Sequence, residues 1–267
     1  MSTDERVLRH YALNDEAGRL WTTARGTLTR LRTWDIFERF LPGGGRVADI
    51  GGGPGAHASR LAALGYDVVL VDPVPQHIDQ ASGVGGFSCR IGDARSLPLP
   101  DAGFDAVLLM GPLYHLADAA DRRLALREAF RVLRPGGRLL AEVIGRHTWI
   151  VDATSRKLLD DPGVWDTFEL NLRTGQSNDP GSVPDEVFWA YFHRTEEVGP
   201  EVEGAGFVHE RLVAVEGFAW LLGDLEELLG RPESLLRAIR LTESEPSMLG
   251  VSAHLMAVAS KPAPGPH

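Results

Sequence analysis

Cysteine occurs once, at Cys89, so the sequence can form neither an intrachain disulfide nor a cysteine-based metal cluster. Lysine stands only at Lys157 and Lys261, and arginine carries most of the positive charge. The net charge is −10 and the isoelectric point about 5.4. No basic stripe of the kind a nucleic-acid backbone calls for runs along the chain. The most basic stretch holds Arg6, Arg9, Arg19, Arg25, Arg30 and Arg32, all near the amino terminus. Long apolar runs are missing too: AVLLM at 106–110 is far shorter than a membrane span. The opening MSTDERVLRHYALNDE has no apolar signal core. His115, His193, His209 and His254 are scattered without the short spacing of a metal pair, so no metal is expected. These absences predict a cytoplasmic protein with neither a membrane nor a nucleic acid as partner.

What remains is a chain of 267 residues, 43% hydrophobic, long enough to bury one large core. Residues 4–40 have amphipathic helical spacing, with Leu28, Leu31, Ile36, Phe37 and Phe40 recurring on one stripe. After LPGGG, apolar runs and helical segments alternate. RVADI, DVVLVD, FSCRIGD, FDAVLLM and RLLAEVI read as strands. HASRLAAL, PQHIDQA and DRRLALREAFRVL read as the helices between them. Such alternation predicts a parallel sheet covered on both faces, a doubly wound α/β fold. LRPGG marks a turn before the fifth strand. The rhythm then breaks. Residues 146–200 carry Trp149, Trp165, Phe168, Phe188, Trp189 and Tyr191 among Gly, Pro and Asn breaks, as in an inserted cap of short helices. Thr195 is expected to cap a helix through Glu203. FVHERLVAV and SAHLMAVAS then give a final antiparallel strand pair, with a helical segment over 221–241 between them. The expected organisation is a helical lid (1–45), a core (46–145), a cap (146–200), completion of the sheet with a helical insert (201–260) and a disordered tail (261–267).

The segment VADIGGGPGAHASRL puts Gly51, Gly52, Gly53 and Gly55 between the first strand and a helix. A loop of this kind lets backbone approach a ligand closely. It is not a P-loop, because no Gly-Lys-Ser/Thr follows. Gly51, Gly53 and Ala56 fit the dinucleotide pattern G-x-G-x-x-G/A, and Asp72 stands where a ribose-binding acid would. A nicotinamide-dependent oxidoreductase is therefore one alternative. Asp49 speaks against it: a carboxylate at the end of the first strand, facing the ligand crevice, would repel a pyrophosphate and welcome a cation.

S-adenosylmethionine is such a cation, and the chain resembles the class I S-adenosylmethionine-dependent methyltransferases. Their acid-x-Gly-x-Gly-x-Gly motif is matched by Asp49, Gly51, Gly53 and Gly55. VDPVP, with Asp72 and Pro73, then matches the segment that holds the ribose hydroxyls, and a carboxylate suits that task. IGDARSLPLPDAGFD places Asp93 and Ala94 where the family contacts adenine. MGPLYHL, with Met110, and LRPGG follow in order. DIGGGPGAHA, VDPVPQHI, MGPLYHL, AYFHR and EPSMLGVSAHLMAVA further resemble a group of bacterial small-molecule methyltransferases, over nearly the whole chain. That group has an acid in the helix before the first strand, where this chain has Thr29 or Arg30. The resemblance implies a Rossmann-like sheet, S-adenosyl-L-methionine as cofactor and S-adenosyl-L-homocysteine as product. It also implies a small organic acceptor methylated on N, O or C, in bacterial secondary metabolism. A non-catalytic S-adenosylmethionine-binding regulator remains a further alternative. The Asn/Asp-Pro-Pro-Tyr/Phe run of DNA amino-methyltransferases is replaced by Gly111-Pro112-Leu113-Tyr114, which removes the group that grips a base.

Methyl transfer mainly needs alignment in a desolvated pocket, with a general base only where the acceptor must lose a proton. His115 either takes such a proton or packs against the cofactor. Tyr114 is either an acid or a pocket wall. His193 in the cap is a further candidate base, and the cap's aromatic residues suit an apolar or aromatic acceptor. Tyr11, Arg19, Trp21 and Arg32 are candidates for a lid over the cofactor. Arg32 either pairs with the methionyl carboxylate or sits on a solvated helix face. Oligomeric state is not legible from the sequence.

Overall fold

The computed structural model describes residues 18, 20–160, 163–177 and 190–263. Tyr11 and Arg19, the aromatic residues Phe188 and Trp189, and the end of the expected disordered tail lie outside them. The chain lays down α1 (Ala24–Phe40), β1 (Arg46–Ile50), α2 (Ala56–Ala63), β2 (Asp67–Asp72), α3 (Pro75–Val84), β3 (Ser88–Ile91) and β4 (Phe104–Leu109). Next come α4 (Pro112–His115), α5 (Ala119–Val132), β5 (Leu133–Gly145), α6 (Thr148–Ser155) and α7 (Gly163–Thr174). A two-residue β6 (Phe192–His193), α8 (Thr195–Glu203) and β7 (Val208–Ala214) follow. Three short helices, α9 (Leu225–Leu229), α10 (Pro232–Thr242) and α11 (Pro246–Leu249), lead to β8 (His254–Ser260).

The strands form one sheet in the order β3-β2-β1-β4-β5-β8-β7, with β6 beside β5. β1 to β5 run parallel, and β8 is antiparallel to both β5 and β7. The terminal antiparallel pair is the one the sequence predicts. Successive strand residues point to opposite faces, and the burial follows that period. Ala48, Ile50, Val69, Val71, Val107 and Leu109 meet Ala125, Leu126 and Ala129 of α5 and Val198 and Val202 of α8 on one face. Val47, Val68, Leu70, Ala106 and Leu108 meet Trp34, Ile36 and Phe37 of α1 and Ala58 and Leu61 of α2 on the other. Both faces are apolar because both are covered, which is why the strands read as continuous hydrophobic runs.

Several element boundaries differ from expectation. Helix α1 starts at Ala24, where Thr23 caps it by accepting the Gly26 amide at 3.0 Å. Thr195 is the first residue of α8, not its cap; Arg194 takes that position. The helical segment expected over 221–241 is broken at Gly223 and again at Gly230 and Pro232, where glycine entropy and the missing proline N–H both disfavour continuation. The carboxyl-terminal part of the expected cap joins the main body. β6 pairs with the end of β5, and α8 packs into the core beneath it.

Arg32 is the largest correction in this region. It neither reaches the ligand crevice nor lies on a solvated face; it is buried. On α1 it shares a stripe with Leu28 and Ile36, which commits it to the interior. Its guanidinium donates to the Val215 carbonyl at 2.8 Å and to Glu243 at 2.7 Å, and it also binds Asp35. Arg39 and Arg240 hold the same two carboxylates from outside. Arg32→Ala is expected to cost about 3 kcal/mol or more, because it leaves buried carboxylates under-compensated. Urea denaturation read by circular dichroism checks this; a loss below about 1 kcal/mol would mean that Arg39 and Arg240 suffice.

Candidate active site

Strand order reverses between β1 and β4, and ligands of open α/β sheets bind at the carboxyl ends of strands at such a switch. A cavity of about 480 Å³ lies there. Its floor is the glycine loop. Gly51 has φ +72°, and a Cβ built on it would lie 2.8 Å from Cδ of Pro112, so a side chain is excluded by both strain and space. Gly55 has φ +91° and caps α2 in the left-handed region that glycine enters without penalty. Of the residues singled out from the sequence, Gly51, Gly53, Gly55, Asp72, Pro73, Asp93, Ala94, Met110, Tyr114 and His115 all line this cavity.

Asp72 ends β2 and is buried. Its Oδ2 accepts the Gly53 amide and its Oδ1 the Val74 amide, each at 2.9 Å, and Nδ1 of His77 lies 3.1 Å from Oδ1. The carboxylate thus ties the glycine loop to the next βα turn. An ionised carboxylate has about four acceptor positions, so capacity remains for a ligand hydroxyl. Asp93 is held by the Arg95 amide at 2.8 Å and by its guanidinium Nε at 2.9 Å. Burial works to raise the Asp93 pKa, but the bonds and charge of Arg95 outweigh it and leave the group below the usual carboxylate range. Tyr114 and His115 lie in the one-turn helix α4 with ring centroids 4.7 Å apart.

Asp49 does not face the crevice. Ala48 and Ile50 take the α5 face of β1, so Asp49 turns with Val47 to the opposite face and lies under the glycine loop, wholly buried. A Cβ on Gly52 would stand 2.8 Å from its Oδ2. Neither carboxylate oxygen has a well-formed hydrogen bond among the described residues. Burial, and then the charge of Asp72, push its carboxyl up to about 7, against a weaker downward pull from the Ala58 amide.

His193 is not in the cavity either. It is buried, with Nε2 3.0 Å from Glu201, which also accepts Nε of Arg122 at 2.7 Å. Desolvation lowers its pKa, against the raising effect of Glu201. The ring belongs to an internal polar network rather than to a site. Its strand neighbour Phe192 points the other way. Trp21, Thr29 and Thr33 contribute to the cavity from the amino-terminal region in place of Arg32.

Glu142 of β5 escaped the sequence reading. It is buried and lines the cavity. The signal was a single acid inside the apolar run RLLAEVI, which a strand covered on both faces tolerates only with a polar partner or a site. With it, the cavity's described lining holds Asp72, Asp93 and Glu142 against one guanidinium, that of Arg95, which is paired to Asp93. Asp49 adds a further carboxyl from beneath. The balance disfavours a pyrophosphate and suits a cationic ligand. The residues therefore fit S-adenosylmethionine on charge, on the close backbone approach of the loop and on volume.

Residues 48–141 match the family model for a methyltransferase domain. An uncharacterised methyltransferase of Mycobacterium tuberculosis is 42% identical over 95 residues, which cover 35% of this chain and 37% of that protein. A ubiquinone/menaquinone biosynthesis C-methyltransferase of Rubrivivax gelatinosus is 34% identical over 108 residues, 40% of this chain and 42% of that protein. The matches thus span less than half the length of these curated relatives. A solved Thermotoga maritima structure, described as an S-adenosylmethionine-dependent methyltransferase and possible histamine N-methyltransferase, superposes with a TM-score of 0.60. It is 20% identical and covers 97% of this chain and all of that one. Among the described residues no helix is long and apolar enough to cross a membrane.

Proposed function

We infer that this chain is a class I methyltransferase that moves a methyl group from S-adenosylmethionine to a small organic acceptor in bacterial secondary metabolism. The observation that carries the reading is the acid-lined cavity built from the glycine loop and Asp72 at the carboxyl ends of β1 and β2. Asp72 would accept the ribose hydroxyls, and Asp93 and Ala94 would flank the adenine. Met110 and Pro73 would wall the cofactor, and Tyr114 and His115 would stand near the transferred methyl. The cofactor supplies an electrophilic methyl; the chain supplies orientation and exclusion of water. The overall charge and the lack of a base-gripping run at Gly111-Pro112 support a small acceptor over a nucleic acid. A cytoplasmic location goes with this reading.

Calorimetric titration with S-adenosylhomocysteine, with NADH as control, tests it. Micromolar or tighter binding with no NADH signal is expected. Asp72→Ala should weaken that binding by about 2 kcal/mol or more, roughly 30-fold, the worth of hydrogen bonds to a charged group. Binding of NADH alone would assign the site to a dinucleotide.

A further inference from the structure

A second cavity, of about 360 Å³, lies beside the first. Thr29 of α1 lines both. Strand β5 joins them too: Glu142 lines the first, and Ile144, two residues on along the same face, lines the second. The second cavity thus continues the cofactor cavity, and its size suits a small molecule. Ile144, Trp149, Phe192, Trp220 and Ala253 give it apolar surface.

Its charges select the occupant. Glu216, in the turn after β7, is buried and lines the cavity. Its Oε1 accepts the Thr29 hydroxyl at 2.7 Å and lies 2.7 Å from Nδ1 of His254; its Oε2 accepts the His254 amide at 2.9 Å. Such bonds favour the ionised carboxylate. On the more exposed side of the lining, Arg25 pairs with Asp152 and donates to the Ser155 hydroxyl at 2.9 Å, so its charge is already matched. Arg95, in the first cavity, is paired with Asp93. Together the described linings carry Asp72, Asp93, Glu142, Asp152 and Glu216 against the guanidiniums of Arg25 and Arg95. Histidine, ordinarily neutral at pH 8, leaves that balance unaltered there. The sulfonium, ammonium and carboxylate of the cofactor sum to a single positive charge, so the acids stay in excess.

We propose that the second cavity holds the methyl acceptor, and that this acceptor is an amine carrying an apolar group and methylated on nitrogen. This rests on the methyl-transfer reading. The direction in which charge moves decides the atom. A phenol, a carboxylic acid or a carbon acid attacks as its anion, and surrounding carboxylates disfavour that anion. A neutral amine needs no such ionisation; one that arrives protonated first releases its proton to water. Its lone pair forms the bond to the methyl carbon as the bond from that carbon to the sulfonium sulfur breaks, with the electron pair staying on sulfur. Positive charge passes from sulfur to nitrogen, and the product leaves as an alkylammonium. No stage places an anion among the acids, and the charge that develops on nitrogen is of the sign they stabilise.

The test is calorimetric titration of the whole protein at pH 8, with and without saturating S-adenosylhomocysteine. The probes are phenethylamine and tryptamine, beside their alcohol counterparts phenethyl alcohol and tryptophol and the carboxylates phenylacetate and indoleacetate. The amines should bind about tenfold or more tighter than the alcohols, and the carboxylates weakest of all, as a charge in a partly desolvated site implies. Asp152→Asn, which leaves the Arg25 charge unmatched, should weaken the amines about threefold or more and strengthen the carboxylates. Ile144→Phe, which fills the second cavity, should weaken the amines about tenfold or more. Both variants should keep S-adenosylhomocysteine affinity within about twofold, and the partly exposed Asp152 serves alone should the phenylalanine variant fail to fold. Amines that do not bind, or bind no tighter than their alcohols or carboxylates, overturn the proposal, as does undiminished amine binding in Ile144→Phe. Amine binding by a wild type that does not bind S-adenosylhomocysteine overturns the methyl-donor reading instead and leaves the amine site standing.

Discussion

Asp49→Asn is expected to make the ligand-free protein more stable at pH 8 and to impair its binding of S-adenosylmethionine. The carboxyl lies under the glycine loop with its pKa raised to about 7, chiefly by burial and then by Asp72. In the unfolded chain it titrates near 4. Between those values the folded state holds a proton that the unfolded state has released, so stability falls as pH rises from about 4 to about 7 and is level above. Each pKa unit is worth about 1.36 kcal/mol, which puts the strain of the ionised group at about 4 kcal/mol. Asparagine removes the charge but leaves a buried amide of its own to satisfy, a cost of about 1–3 kcal/mol. The net expectation is a gain of about 2 kcal/mol at pH 8, about 4–8 °C in Tm, which vanishes at about pH 5.5 and becomes a loss of about 2 kcal/mol at about pH 4, where only the cost of the amide remains. Thermal unfolding of both proteins across that range checks it, and parallel curves would show that Asp49 carries no such strain.

Ligand binding should run the other way. A sulfonium and an ammonium favour the ionised carboxylate, so wild-type affinity for S-adenosylmethionine should rise with pH up to about 7. Near pH 6 binding should release a proton, visible as calorimetric enthalpies that differ between buffers of different ionisation enthalpy. The asparagine variant should lose both the pH dependence and, at pH 8, about 1–3 kcal/mol of affinity, the scale of a charge pair in a partly desolvated site. Unchanged affinity would mean that the loop screens Asp49 from the ligand. A loss of that size would instead mean that the residue is strained in the empty protein and relieved in the loaded one, an arrangement found where a site gives up stability for function.

The sheet was legible from the sequence because its signal is local and repeated. RVADI, DVVLVD and FDAVLLM are apolar runs between helical segments, and each became the strand expected. Cavity residues that belong to the backbone motif were legible for the same reason. Gly51, Gly55 and Asp72 are fixed by chain geometry at strand ends, and the fold brought them together. Side chains whose direction depends on helix phase or strand parity were not. Arg32 reads as a surface arginine until Val215 and Glu243, about two hundred residues later, close over it. His193 and Phe192 are adjacent, and only the pairing of β6 with β5 decides which of them faces a cavity. Glu216 and His254 lie 38 residues apart in sequence and meet only where the chain re-enters the antiparallel end of the sheet.

That meeting carries the other large effect. Glu216→Gln is expected to destabilise the protein by about 3 kcal/mol at pH 7. Burial alone would raise the carboxyl's pKa, but the charge and ring N–H of His254, the Thr29 hydroxyl and the His254 amide reverse this and hold it at about 2. Because the folded pKa lies below the unfolded one, the stabilisation is fully present above about 4.5 and is lost as pH falls from there towards about 2. The difference between wild type and variant should therefore close as pH falls below about 4.5 towards about 2. Asp49 slopes the wild-type curve in the opposite sense over pH 4 to 7, so the difference between the two proteins, not either curve alone, is the quantity to measure; Asp49 is common to both and cancels. A glutamine whose Oε1 keeps the Thr29 contact presents a neutral oxygen to Nδ1 of His254 and turns its NH2 donor on the His254 backbone N–H, which Oε2 accepts in the wild type. If the difference between the curves keeps its size below pH 3, Glu216 is held by packing rather than by its charge, and the orientation of His254 would have to come from the sheet alone.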